Sequence, residues 1–109
     1  MNWLELTSIQ VLDDLVLLSL ERPVVIFKHS TRCSISDIAK GRLERAGDQE
    51  WISFYYLDLL KYREISKAVS ERFAVHHESP QVLLIRNGEC IYDESHMGIL
   101  MDEILNHSV

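Results

Sequence analysis

The chain has 109 residues, enough for one domain with its own core and too few for two. Apolar residues at 47% and charged residues at 26% fit an ordinary globular protein, and a net charge of −6 argues against nucleic acid or anionic membrane as a partner. Two cysteines, Cys33 and Cys90, are too few for a disulfide framework and lack any paired zinc-ligand spacing.

The opening Met1–Glu5 has no basic region, and the short apolar run Leu15–Leu20 follows Asp13 and Asp14, so neither a leader nor a membrane span is expected. A reducing, cytoplasmic setting is the default, and a monomer is expected. Thr7-Ser8 can cap a first helix carrying Ile9, Leu12, Leu15, Val16 and Leu20, stopped by Pro23. Val24-Val25-Ile26-Phe27 reads as a buried strand, and His29-Ser30-Thr31-Arg32 as a polar loop. After Cys33, Ile35, Ile38, Ala39, Leu43 and Ala46 fall on one face of a helix. Gly41 interrupts that helix, which hints at close packing, and Gly47-Asp48 marks its exit. Ile52–Asp58 is a second strand, and Tyr62–Phe73 a helix with Ile65, Ala68, Val69 and Phe73 inward. His76 and His77 read as a surface-loop pair ahead of Pro80. Gln81–Arg86 and Glu89–Asp93 flank Asn87-Gly88, a strong two-residue hairpin signal. Met97, Leu100, Met101, Ile104 and Leu105 describe a closing amphipathic helix. The predicted fold is α/β, a mixed sheet of about four strands in a single domain over 1–109, with helices on both faces.

Cys33 stands where a strand gives way to the first turn of a helix. Unpaired backbone N–H groups and the helix dipole favour negative charge there, and a thiol is a nucleophile only as its thiolate. The polar run before it argues against a buried, inert thiol. The dipole alone is worth roughly 0.3–1 kcal/mol, so Ser36, Arg32 or a histidine is expected to add to it. Ser36, one helical turn on, reads as a first-turn residue whose hydroxyl bonds the backbone, and its position also lets that hydroxyl donate to the sulfur. His29 reads as closing the loop rather than acting as a base. Trp3 and Trp51 read as core or rim packing.

Phe27-Lys28-His29-Ser30-Thr31-Arg32-Cys33-Ser34-Ile35-Ser36, Ser79-Pro80-Gln81 and Ser95-His96 together resemble the monothiol bacilliredoxins, within the thioredoxin-like superfamily. The likeness covers nearly the whole chain. It implies a thioredoxin-like fold and a thiol–disulfide oxidoreductase that removes bacillithiol from mixed disulfides on other proteins. Bacillithiol would be co-substrate, with no bound cofactor or metal. The residue matching Cys33 attacks, and the proline matching Pro80 is cis, leaving the Ser79 backbone open to pair with an incoming segment. Against thioredoxin, Ser36 replaces the second cysteine, Phe27 stands at the buried acid, and Arg32 replaces an aromatic residue. Ser34 stands where many bacilliredoxins carry proline.

If Asn87 and Gly88 are the two central residues of a tight hairpin, Cys90 faces Ile85, Ser95 faces Pro80 and His96 faces Ser79. His96 then returns to the edge that Cys33 occupies, where it could support the thiolate, protonate the leaving thiol or bind a carboxylate of the small thiol. A cap on the closing helix is the plainer role. Arg32 is a second candidate for that carboxylate. Cys90 lies past the far turn, about 23 Å along the strand at ~3.3 Å per residue, too far to resolve Cys33. Two other classes compete: an iron–sulfur carrier of the monothiol glutaredoxin kind, whose lysine-glycine pattern the loop lacks, and a non-enzymatic module binding metal through Cys33 with His29 or His77.

Overall fold

The computed structural model describes residues 1–109. Its elements are β1 (Leu4–Glu5), α1 (Ile9–Leu18), β2 (Val24–His29), α2 (Ser34–Ala46), β3 (Ser53–Asp58), α3 (Arg63–Phe73), β4 (Gln81–Arg86), β5 (Glu89–Ser95), a 3₁₀ turn (His96–Gly98) and α4 (Met101–Ser108). The sheet runs β1-β3-β2-β4-β5, with β1, β3 and β2 parallel and β4 and β5 antiparallel. It therefore has five strands rather than about four. The extra one, β1, is two exposed residues pairing with Tyr55 and Tyr56, too short for any periodicity to reveal.

Strand alternation sends the two faces of the sheet to two cores. Val24 and Ile26 of β2 join Leu12, Leu15, Leu57, Val69, Leu83 and Ile85 under α1 and α3. Val25 and Phe27 join Ala39, Leu43, Phe54, Val82, Leu84, Ile99 and Ile104 under α2 and α4. Trp3 stacks on Phe27 with ring centroids 5.6 Å apart, so it closes the second core, whereas Trp51 is exposed. β2 runs two residues beyond its apolar stretch, and both Lys28 and His29 are buried.

The Ser8 hydroxyl caps α1 by accepting the Val11 N–H at 3.2 Å. That helix stops at Leu18, and Ile9 and Leu20 face solvent. In α2 the inward face is Ser36, Ala39 and Leu43, leaving Ile35 and Ile38 exposed. The apolar count placed those isoleucines inward; Ser36 takes that face because its hydroxyl has buried polar partners to satisfy. A Cβ on Gly41 would meet only the Arg45 side chain, so no neighbouring element accounts for that glycine.

Asn87 and Gly88 turn with φ of 54° and 77°, as a type I′ hairpin requires, and Ser19 receives both of their N–H groups. Ile85 faces Cys90, but Leu84 faces Tyr92, so a bulge inserts Ile91. Ser95 consequently faces Gln81 rather than Pro80, and the His96 N–H donates to the Pro80 carbonyl at 3.0 Å, one step from the counted register. The predicted closing helix is also shorter. Met97 and Leu100 are exposed, while Ile99 is fully buried between the 3₁₀ turn and α4. No helix is long and apolar enough to cross a membrane.

Candidate active site

Cys33 is the N-cap of α2, in extended backbone at φ −116°, and partly exposed. Its N–H donates to the Ser30 carbonyl at 3.2 Å, and no side chain caps the helix. The first N–H groups of α2 thus have no intrahelical acceptor, and the dipole's positive end lies beside the sulfur.

Behind the loop, His29 is fixed by several bonds. Its Nδ1 lies 2.6 Å from Ser36 Oγ, its Nε2 lies 3.5 Å from Asp37, and its carbonyl accepts the Leu59 N–H at 3.1 Å. Burial first, with Asp37 opposing it, holds the imidazole below its ordinary pKa. In the neutral ring, Ser36 O–H donates to Nδ1 while Nε2–H faces Asp37. Ser36 Oγ also accepts the Ser30 N–H at 3.0 Å. Its hydroxyl is therefore committed to the loop, as the backbone-bonding reading expects, and donation to the Cys33 sulfur is not among its bonds. Ser36 shapes the loop that presents the thiol, with His29 closing it from behind.

The Ser79–Pro80 peptide is cis, and Pro80 is buried. Lys28 pairs with Gln81 across β2 and β4, so the next residues, His29 and Pro80, are neighbours at the same end of the sheet. Gln81 anchors the approach to the proline, donating to the His76 carbonyl at 2.9 Å. Ser79 Oγ is buried without a hydrogen-bond partner. The bulge still delivers His96 to this edge, with φ of 56° and a half-exposed ring. Its Nε2 lies 3.7 Å from one Glu78 oxygen, and His76 lies 3.9 Å from the other. Glu78, which carried no sequence signal of its own, is thus the anion at the proline edge.

Arg32, the residue before Cys33, is exposed. With Thr31, Asp58, Leu60, Lys61 and Arg63 it lines a cavity of about 290 Å³. None of its three cations enters an ion pair. Cys90 contrasts with Cys33. Its thiol donates to the Tyr92 carbonyl at 3.3 Å, and burial pushes it up to about 11. His77 is an exposed loop residue, and its Nδ1 also lies 3.2 Å from the buried Lys28 ammonium. The polar end of β2 was the available clue: Lys28 continues the inward alternation of Val24 and Ile26. No three His, Cys, Asp or Glu side chains converge to hold a metal ion.

This fold is shared with many solved structures. A candidate oxidoreductase with a thioredoxin fold is 26% identical with a TM-score of 0.85, covering 97% of this chain and 93% of that one. The thioredoxin of Malassezia sympodialis superposes with a TM-score of 0.81 at 18% identity, covering 99% and 92%. That of Fasciola hepatica gives 0.77 at 18% identity, covering 94% and 97%. The fold is therefore thioredoxin-like, with a single thiol where the helix begins. The family described as monothiol bacilliredoxin BrxC matches residues 4–104, nearly the whole chain. This chain belongs to the monothiol bacilliredoxin family, and its role lies in thiol redox chemistry.

Proposed function

We propose that this protein removes bacillithiol from mixed disulfides on other proteins by monothiol exchange through Cys33. One observation carries the reading. A single partly exposed thiol caps α2, and the residue one turn on is a buried serine bonded to His29. A site so built can accept a thiol but cannot close an internal disulfide at positions 33 and 36.

In the first step the Cys33 thiolate attacks the bacillithiol sulfur of the mixed disulfide. A Cys33–bacillithiol bond forms, the client–bacillithiol bond breaks, and the electron pair leaves with the client sulfur, which takes up a proton. A second thiol, either bacillithiol or a dedicated reductant, then attacks the mixed disulfide on Cys33 and restores the thiolate. The α2 N-terminus supports the sulfur's charge on both occasions. The Ser79 backbone beside Pro80 pairs with the client segment. Arg32 receives a carboxylate of the small thiol, and the His96–Glu78 pair exchanges protons with the leaving thiol. Bacillithiol acts as co-substrate, and the setting is a reducing cytoplasm with the protein a monomer.

Mass spectrometry after exposure to bacillithiol disulfide tests this. One bacillithiol adduct on Cys33, transferred from a bacillithiolated client and released by a thiol, is the expected result. An unmodified Cys33 beside a client that keeps its bacillithiol would sink the proposal. The iron–sulfur alternative predicts a coloured protein after anaerobic purification.

A further inference from the structure

The face of the sheet away from α2 carries a cavity of about 420 Å³ whose lining does not include Cys33. Its size falls among small-molecule sites, roughly 300–1,000 Å³. Leu59 and Leu60 supply apolar wall, and Arg63, Lys67, Ser70 and His77 supply polar groups.

Behind that wall lies Lys28, whose side chain is fully buried. Its ammonium is within 2.9 Å of Ser70 Oγ, 3.2 Å of His77 Nδ1 and 3.3 Å of the Ser66 carbonyl. All three partners are neutral acceptors, and no carboxylate pairs with it. A buried cation without an anion is costly, and the cost falls when an anion comes near. Ser70 and His77 both touch the ammonium and line the cavity, so the charge sits one hydrogen bond behind the wall. With Lys28 donating to Nδ1, the neutral His77 ring carries its proton on Nε2, a donor free for a ligand.

The mouth adds to this field. Arg63 has no ion-pair partner, and Lys67 meets Glu71, the one carboxylate lining the cavity, at 3.9 Å through two exposed side chains. Such a contact is weak. Ser66 is buried at this wall with its Oγ unpartnered. Burial also brings the Lys28 pKa down to about 8, with no opposite charge countering it.

We propose that this cavity is a second ligand site, which binds a small organic anion with its carboxylate or phosphate head toward His77, Arg63 and Lys67 and a short apolar body against Leu59 and Leu60. The site does not include Cys33, and it adjoins the smaller cavity that Arg32 lines, sharing Leu60 and Arg63 with it.

The test is an NMR titration of the full chain with propyl phosphate and, separately, with butyrate, following the Lys28 side chain and the His77 ring. Saturable shifts of both signals are expected with at least one probe, and the tighter probe identifies the head group. Affinity should fall at least tenfold in Arg63→Gln and in Lys28→Met, and remain unchanged in Arg45→Gln, which alters an exposed cation on α2. If Lys28→Met does not fold, Arg63→Gln and the wild-type Lys28 signal decide. Shifts that only grow linearly with both probes, or equal affinities in Arg63→Gln and Arg45→Gln, overturn the proposal.

Discussion

Cys33 and Cys90 place the same side chain in opposite surroundings. Cys33 begins a helix and follows Arg32, which lines a cavity with Lys61 and Arg63. Cys90 lies beside the bulge of an edge strand, packed against the core of α1 and α3, and burial raises its pKa to about 11. Reactivity therefore follows from what surrounds the sulfur. An apolar wall raises the free energy of a thiolate, as it does at Cys90.

The largest effect belongs to Cys33→Ala, which should abolish bacillithiol removal while Cys90→Ala keeps it. Cys33→Ser should keep the fold and lose the activity; comparable turnover in Cys33→Ala and Cys90→Ala would make the contrast meaningless. Alkylation at pH 8 should label Cys33 faster than Cys90, which is also partly exposed but whose thiol burial holds protonated.

Ser36→Cys comes next. Positions 33 and 36 should form an intramolecular disulfide on mild oxidation. The substitution also weakens bonds to His29 and the Ser30 N–H, so the reduced variant should lose about 1–3 kcal/mol of stability by denaturant titration. Two free thiols after oxidation would contradict the placement of residue 36 one turn beyond Cys33.

His96→Ala should slow exchange about tenfold, equivalent to ~1.4 kcal/mol, with Glu78→Gln slowing it in the same direction. The pH profile of Cys33 alkylation separates a direct effect on the thiolate from a proton-transfer role. Unchanged rates across that profile would leave His96 as the residue that turns β5 into the 3₁₀ segment.

The smallest effect concerns Cys90 and alkaline pH. Its folded pKa, about 11, lies above the ordinary 9.0, so the unfolded thiol ionises first. The folded state then binds more protons, and this contribution, intact below about pH 9, is lost as pH rises towards 11. Cys90→Ala should show a shallower fall in unfolding free energy across that window. Parallel curves would mean that Cys90 is hydrated in the native state.

Much of this contrast was legible before any tertiary contact was known. Asn87-Gly88 dictates a hairpin because both residues tolerate positive φ, and that alone sends Cys90 to the far end from Cys33. The change from β-branched run to polar loop to helical spacing puts Cys33 at a helix start. The bulge at Ile91 was not legible, since no local rule marks a residue left unpaired within a ladder. It moved His96 from Ser79 to Pro80, though not away from that edge.

Local chain chemistry is enough to place a thiol at a helix start, a serine one turn beyond it and a proline at the head of a neighbouring strand. Each depends on short-range periodicity, capping and turn residues, which act within a few positions of the chain. The partners of those groups are a different matter. Ser36 bonding His29 instead of the sulfur, Glu78 standing between His76 and His96, and Lys28 reaching α3 all join residues from separate elements. Burial sets those pairings, because each buried polar group must find an acceptor or donor among whatever the packing brings within reach.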